Sequence, residues 1–312
     1  MRTILNLLLF GTLLFVFSCT SPTGESAETT ISGDIRIGVD DNLRLITEAE
    51  LFIFETDYKD AKVRALYGPE GDMVDLLMKD SVRLVITGRK LSNDETKFFN
   101  SKKIHPREQK IAIDGLALVV NKANSDSTFS YEQLKALFTG KAGRWSDFDP
   151  ANGDEAIRVV FDNPKSGNAG FIKQHFNLKE LPSNCYALKS NEEVLKYVEN
   201  NAGSIGIIGS NYISDSDDSL SQSILKRVKV AGVSAIDDPK AIKGYHGPYQ
   251  EYIADESYPF HRDVFIISRE LGTHLGNGFI AFVTGDKGQR IILKAGLVPV
   301  VFPTRSVEII SE

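Results

Sequence analysis

The sequence predicts an α/β fold around a parallel sheet, in two medium domains or in one domain built as two lobes. Three features predict it. Short apolar runs alternate with runs of helical period, the pace at which strand, helix and strand follow one another in crossover units. Ser92, Ser130 and Ser190 each precede a Glu or Gln by three residues, the pattern of a capping box that opens a helix. The 312 residues hold two cysteines, Cys19 and Cys185, so a core rather than a disulfide framework must supply stability.

Met1-Arg2 is a short positive start, Ile4 to Val16 is apolar but too short for a stable span, and Val16-Phe17-Ser18-Cys19 closes the run. This resembles a bacterial lipoprotein signal, which implies a signal peptide over 1–18 and a lipid on Cys19. Residues 19–30 are polar and aperiodic and read as a flexible tether. The expected product is a membrane-anchored head in the periplasm or another extracytoplasmic space. A net charge of −6 argues against a nucleic-acid partner, which needs a basic face. The five histidines are scattered at 105, 175, 246, 261 and 274 with no metal-ligand spacing, and no cofactor motif is visible.

Ile35 to Val39 alternates as a strand, Asp40-Asp41-Asn42 forms a turn that caps a helix, and Leu43 to Tyr58 has helical spacing. Lys62 to Tyr67 is a strand that Gly68-Pro69 breaks, Asp72 to Lys79 a helix, and Val82 to Ile86 a strand ending in Thr87-Gly88-Arg89. Lys110 to Asn121 is long for one strand and carries Asp114-Gly115 in its middle, as a segment passing between lobes would. Helices follow the boxes at Ser92, Ser130 and Ser190. Ile157 to Phe161 and Gly203 to Gly209 read as strands, Asp215 to Ser223 as a polar loop, and Lys226 to Val233 and Val264 to Ile267 as strands. Two helices, Leu275 to Val283 and Lys287 to Lys294, close the chain, with Gly296 as terminal cap.

The chain is organised around Asp162-Asn163-Pro164-Lys165-Ser166-Gly167-Asn168, between the Ile157 to Phe161 strand and a helix whose Phe171, Ile172 and Phe176 share a face. Gly167 permits close approach to the backbone, and the first N–H groups of the helix are free and lie at its positive end, which suits an oxyanion. The same residues also suit a plain turn and cap. In an α/β sheet the crevice lies at the carboxyl ends of the strands, where Asp40-Asp41-Asn42, Tyr67-Gly68, Thr87-Gly88-Arg89 and the 162–168 loop all fall.

Ile113-Asp114-Gly115-Leu116-Ala117-Leu118-Val119-Val120-Asn121, then Ser130 to Gly140, then Trp145-Ser146-Asp147, resemble in that order the phosphate-binding protein of the phosphate ABC importer. Ser166-Gly167-Asn168, Gly203-Ser204-Ile205-Gly206, Tyr258-Pro259 to Arg262 and Ala295-Gly296-Leu297-Val298-Pro299 extend the match over most of the chain. The resemblance implies a two-lobed type II periplasmic binding protein fold, with a ligand cleft between lobes joined by two crossing strands. It places lobe I in 31–113 plus 261–312 and lobe II in 114–260, with phosphate or a related oxyanion as ligand and an ABC permease as partner.

Departures fall at the anion site. Asp40-Asp41-Asn42 stands where the family has Ser-Thr-Thr, Asp162 where it places an Arg, and Asn168 where its motif ends in Thr. An ionic hydrogen bond is worth about 1.5–3 kcal/mol, so exchanging Arg for a carboxylate threatens the affinity. Arg89 and Lys165 could restore positive charge, and a carboxylate could accept the proton of a monohydrogen phosphate. Repair and loss both stay open.

Three readings follow. In a solute receptor, Ser166, Gly167, Asn168, Thr87, Gly88 and Arg89 donate, Lys165 adds charge, and Asp40, Asp41 or Asn42 meets the ligand. In a binding module with a changed role, the acids select another ligand or a protein partner. An enzyme is disfavoured, since Ser166 has no base placed near it and Cys185 reads as an inert apolar side chain.

Overall fold

The computed structural model describes residues 28–214, 218–238 and 240–303. The lipoprotein signal, Cys19 and most of the tether lie outside them. In the first half of the chain, β1 (Gly33–Asp40), α1 (Arg44–Asp57), β2 (Ala61–Gly68), α2 (Glu70–Met78) and β3 (Leu84–Thr87) alternate as predicted. Both β2 and β3 pair with β1 in parallel. The helix α3 (Asn93–Ser101) opens on the complete Ser92/Glu95 capping box.

β4 (Arg107–Asn121) is one uninterrupted strand of 15 residues that pairs with β11 on one side and β8 on the other. The rest of the chain adds β5 (Thr128–Phe129), α4 (Tyr131–Phe138), β6 (Arg158–Phe161), α5 (Gly167–His175), β7 (Cys185–Ala187), α6 (Asn191–Asn200), β8 (Ser204–Gly209), α7 (Ser219–Arg227), β9 (Val228–Val230), β10 (Gly232–Val233), α8 (Gln250–Ala254), β11 (His261–Ser268), α9 (Leu275–Thr284), α10 (Asp286–Lys294) and β12 (Val298–Pro299). The main sheet runs β2-β1-β3-β11-β4-β8-β6-β7. It is mixed rather than purely parallel, because β11 is antiparallel to both β3 and β4, and β4 to β8.

Alternation along the central strands explains why helices cover both faces. Leu116, Leu118 and Val120 enter one core with Phe129, Phe138, Trp145 and Phe161, while Ala117 and Val119 enter another with Val194, Leu195 and Val198. In the first half Leu84 and Ile86 face Phe54 and Phe279, while Val85 faces Met73, Leu77 and Phe99. Each half of the sheet is therefore a three-layer sandwich, and each fully buried Leu or Phe contributes about 1.5–3 kcal/mol. Between the halves, β4 and the approach to β11 lie side by side: Leu116 N–H donates to Phe260 O at 2.8 Å and Tyr258 Oη to Leu116 O at 2.6 Å.

One expected loop is a helix. α7 occupies 219–227, capped by Asp218, whose carboxylate accepts from Ser221 N–H at 2.9 Å. Its inward stripe is Ser221 and Ile224, too polar to read as an amphipathic face. β9 and β10 are accordingly shorter than the strand expected over 226–233.

Candidate functional site

The carboxyl ends of β1, β3 and β6 converge where the two halves of the sheet meet. β1 ends at Asp40, which caps a 3-10 turn over Asp41–Leu43 and thereby turns Asn42 toward the other half. β6 ends at Phe161, and Ser166 caps α5 by accepting from Ala169 N–H at 3.2 Å.

Asn42 is the hub of this seam. Its Nδ2 donates to Asp40 Oδ1 at 3.2 Å and to Asp162 Oδ2 at 3.1 Å. Its Oδ1 accepts from Asn168 Nδ2 at 2.7 Å and Asn191 Nδ2 at 3.1 Å, and its backbone O accepts from Asn211 Nδ2 at 2.8 Å. Both protons and both lone pairs of the amide are used. All of these side chains are buried, so the first half of the sheet is tied to β6, α5, α6 and the turn after β8 through one residue.

Arg262, near the start of β11, is the cation of the site. Its Nη2 holds Asp114 Oδ2 at 3.1 Å, and Ser210 Oγ donates to Asp114 Oδ1 at 2.9 Å. Arg262 Nε and Nη1 have no hydrogen-bond partner among the described residues, nor does Asp40 Oδ2. Asp40 Oδ2 and Arg262 Nη1 meet against one face of Gly167, where a Cβ would collide with Asp40 Oδ2 and come within 2.9 Å of Arg262 Nη1. Gly88 lies against the same side chain, where a Cβ would come within 2.8 Å of Arg262 Cδ. Glycine at 167 is thus what lets α5 approach β1 and β11 so closely.

The carboxyl groups here resist ionisation. Burial, reinforced by Glu70 and Asp162 and opposed by Arg262, pushes Asp40 up to about 8. Burial likewise raises Asp162, against Ser166, Asn42 and Arg262, and raises Asp114 against the pull of Arg262.

The predicted site residues separate into groups. Asp40, Asn42, Ser166, Gly167 and Asn168 come together at the seam. Thr87 and Gly88 lie beside it but are engaged locally, Thr87 Oγ1 donating to Arg89 O and Gly88 N–H to Glu70 Oε1, both at 2.8 Å. Arg89 gives its guanidinium to Glu70 at 3.0 Å and to both oxygens of Glu95 at 2.8 Å. Asp41 pairs with Arg44 at the rim. Lys165 is exposed and reaches Asp72 at 3.0 Å. Sequence reasoning missed Arg262, Glu70, Asn191 and Asn211. Only Arg262 carried a signal, inside the Tyr258 to Arg262 match. A groove of about 500 Å³, lined by Gly88, Lys90, Phe171, His175, Arg262 and Phe265, runs alongside. Among the described residues no group of three or more His, Cys, Asp or Glu is arranged to hold a metal ion.

A family profile described as the PBP superfamily domain matches residues 24–287. The chain is 27% identical over 283 residues to the phosphate-binding protein PstS of Staphylococcus aureus, covering 89% of this chain and 82% of that one. Among solved structures it is similar to a candidate phosphate ABC transporter substrate-binding protein with bound phosphate from Clostridium perfringens (TM-score 0.70, 22% identity, 85% of this chain and all of that one). It is also similar to an ABC-type phosphate transport receptor from Vibrio cholerae (TM-score 0.63, 20% identity, 85% and 99%). These likenesses establish the fold as the two-lobed α/β architecture that the sequence predicted, and the relatives are named as binding and transport proteins rather than enzymes.

Proposed function

The chain belongs to the PBP superfamily, and from that membership we propose that it is an extracytoplasmic solute-binding protein whose cleft receives a protonated oxyanion, phosphate first among them. The observation that carries this reading is the pair of donors on the buried Arg262 without a partner among the described residues, Nη1 beside Gly167 at the start of α5 and Nε beside Gly88. A charged donor and the positive end of a helix converge there, and both favour an anion. The names of the S. aureus and V. cholerae relatives support phosphate as the ligand and an ABC permease as the partner.

The lobes in this reading are 31–113 with 261–312, and 114–260, closing as a hinge about the two adjoining strands. Asp40, Asn42, Ser166, Gly167 and Asn168 line the cleft. Thr87, Gly88, Arg89, Asp41 and Lys165 shape its rim. A lipid on Cys19 would anchor the protein to a membrane, and labelling with a radioactive fatty acid that persists in Cys19→Ser would refute the anchor. Calorimetric titration with phosphate, sulfate, molybdate and carboxylates tests the ligand. We expect saturable heat with phosphate. Folded protein that is silent to every anion, as wild type and as Asp40→Ser, overturns the oxyanion reading.

A second reading rests on the acids. Asp40, Glu70 and Asp162 crowd Arg262, and their carboxyl oxygens favour a ligand rich in hydrogen-bond donors, or a protein partner for a sensor-like lipoprotein. Saturable binding of an amine or polyol in the same titration, without phosphate binding, would select it.

A further inference from the structure

We propose that the Asp40 carboxyl group is a built-in occupant of the oxyanion subsite, closing the two halves of the molecule upon each other until an external oxyanion displaces it. The inference rests on the oxyanion reading and adds to it the question of what fills the subsite beforehand.

The geometry starts with the way Asp40 is held. One oxygen, Oδ1, is fixed within its own half by Asn42 N–H at 3.3 Å and Asn42 Nδ2 at 3.2 Å. That leaves Oδ2 aimed across the seam at Gly167, with Arg262 Nη1 against the same face of that glycine. Asp40 is wholly buried, yet Oδ2 forms no hydrogen bond among the described residues. A residue needed only to cap the Asp41–Leu43 turn would be served by one oxygen. The second oxygen carries a desolvation cost that local structure does not require. Its location supplies the reason: it stands against the first residue of a nine-residue helix whose opening N–H groups seek negative charge, within the field of Arg262. An acid from the first half of the sheet thus occupies the place that an anionic guest would take in the second.

The other bonds that hold the halves closed depend on Asp40 as well, because its Oδ1 accepts from Asn42 N–H and Nδ2 and so sets the Asn42 amide. Asn42 already bonds Asp162, Asn168 and Asn191 across the seam. Glu70 and Asp162 face Asp40 and repel it when charged, whereas Arg262 attracts it. Asp40 keeps its proton near neutral pH, so it fills the place as a neutral group held by geometry, and an oxyanion that Arg262 and the helix N–H groups attract more strongly can displace it. Displacement requires Asp40 to swing away from Gly167, which carries the cost of parting the halves. Asp40 is accordingly a brake on affinity rather than a ligand-binding group.

The test compares wild type with Asp40→Ser and Asp40→Asn, using inorganic phosphate as the probe. Calorimetry is expected to show phosphate binding at least tenfold tighter in Asp40→Ser than in wild type, with Asp40→Asn between them. Small-angle scattering without phosphate is expected to show a compact wild type and an expanded Asp40→Ser that contracts when phosphate is added. If Asp40→Ser binds phosphate no better than a wild type that does bind it, Asp40 serves the ligand, and the inference falls while the oxyanion reading stands. If both variants melt cooperatively and neither they nor wild type bind phosphate, the oxyanion reading falls and takes the inference with it. If phosphate-free wild type and Asp40→Ser scatter identically, self-occupancy does not hold the closed form and the proposal is wrong.

Discussion

Arg262 and Asp114 form an ion pair with 3.1 Å between Nη2 and Oδ2, with 3% and 0% of their side chains exposed. A buried pair of this kind adds little over a well-packed apolar pair, but losing one partner strands the other charge. Arg262→Met is therefore expected to cost about 3–5 kcal/mol in urea denaturation, because Asp114 stays behind with only Ser210 Oγ and the Gly115 N–H to meet it. A loss below about 1 kcal/mol would mean that Asp114 is protonated or hydrated in the folded state.

Asn42 makes four side-chain hydrogen bonds, and three of them cross the seam. Asn42→Ala leaves Asn168, Asn191 and Asp162 short of partners in a dry interface and is expected to destabilise by roughly 2–4 kcal/mol. Asn42→Asp sharpens the test, since it replaces the donor that separates Asp40 from Asp162 with a third carboxyl group. We expect Asn42→Asp to unfold more readily than Asn42→Ala at pH 8 and less readily at pH 4; the same order at both would show that charge at this seam is irrelevant.

The Asp40 carboxyl group, at about 8 in the folded protein against 3.8 ordinarily, imposes a pH dependence of definite sign. The folded state retains the proton that the unfolded chain has released, so stability falls as pH rises from about 4 to about 8 and is level beyond. Below about 4 both states are protonated and the group contributes nothing. Asp40→Asn should flatten this part of the curve, with thermal midpoints that match wild type at pH 4 and exceed it at pH 8. Parallel curves for the two proteins would refute the assignment.

Lys165 and Asp72 meet at 3.0 Å, but 68% and 44% of their side chains are exposed. Solvent screens such a pair, and it contributes little to stability. Lys165→Ala should leave the denaturation midpoint nearly unchanged and lower phosphate affinity less than twofold. A tenfold loss would move Lys165 from the rim into contact with the ligand.

Local signals were legible where a few neighbouring residues decide the structure. Ser92 with Glu95 and Ser130 with Gln133 form complete capping boxes, because both halves of the motif lie within one turn. Ser190 accepts from Glu193 N–H, but Glu193 returns its carboxylate to Lys189 N–H instead, a choice set by the entering chain. The convergence of Asp40, Thr87 and the 162–168 loop was equally legible, since strand order within α/β units brings their carboxyl ends to one edge. What remained hidden is pairing at a distance. Arg89 stands at that edge as expected, yet Glu70 and Glu95 claim it, while the cation with free donors is Arg262 on an antiparallel strand. Nothing periodic marks Asn191 or Asn211 either, because a polar residue at the head of a helix or turn reads as a cap until its partner is known.

Glu50 offers a test that is independent of the cleft. It lies on α1 between Ile46 and Phe54, 3% exposed, and neither carboxyl oxygen has a hydrogen-bond partner among the described residues. Burial alone pushes the group up to about 9 from 4.5. The unfolded chain gives up this proton above about pH 4.5 while the folded chain keeps it, so stability declines from there to about pH 9, by on the order of 3 kcal/mol at pH 7. Glu50→Gln has nearly the same shape and no proton to lose. Its own unpaired amide offsets part of the gain, which leaves an expected advantage of roughly 1–2 kcal/mol at pH 7. In urea titrations the Glu50→Gln advantage should shrink as pH falls and be gone by about pH 4, where wild-type Glu50 is protonated whether the chain is folded or not. Equal stability at pH 7 would mean that the carboxylate reaches a counter-charge or water, and that the buried face of α1 opens in solution.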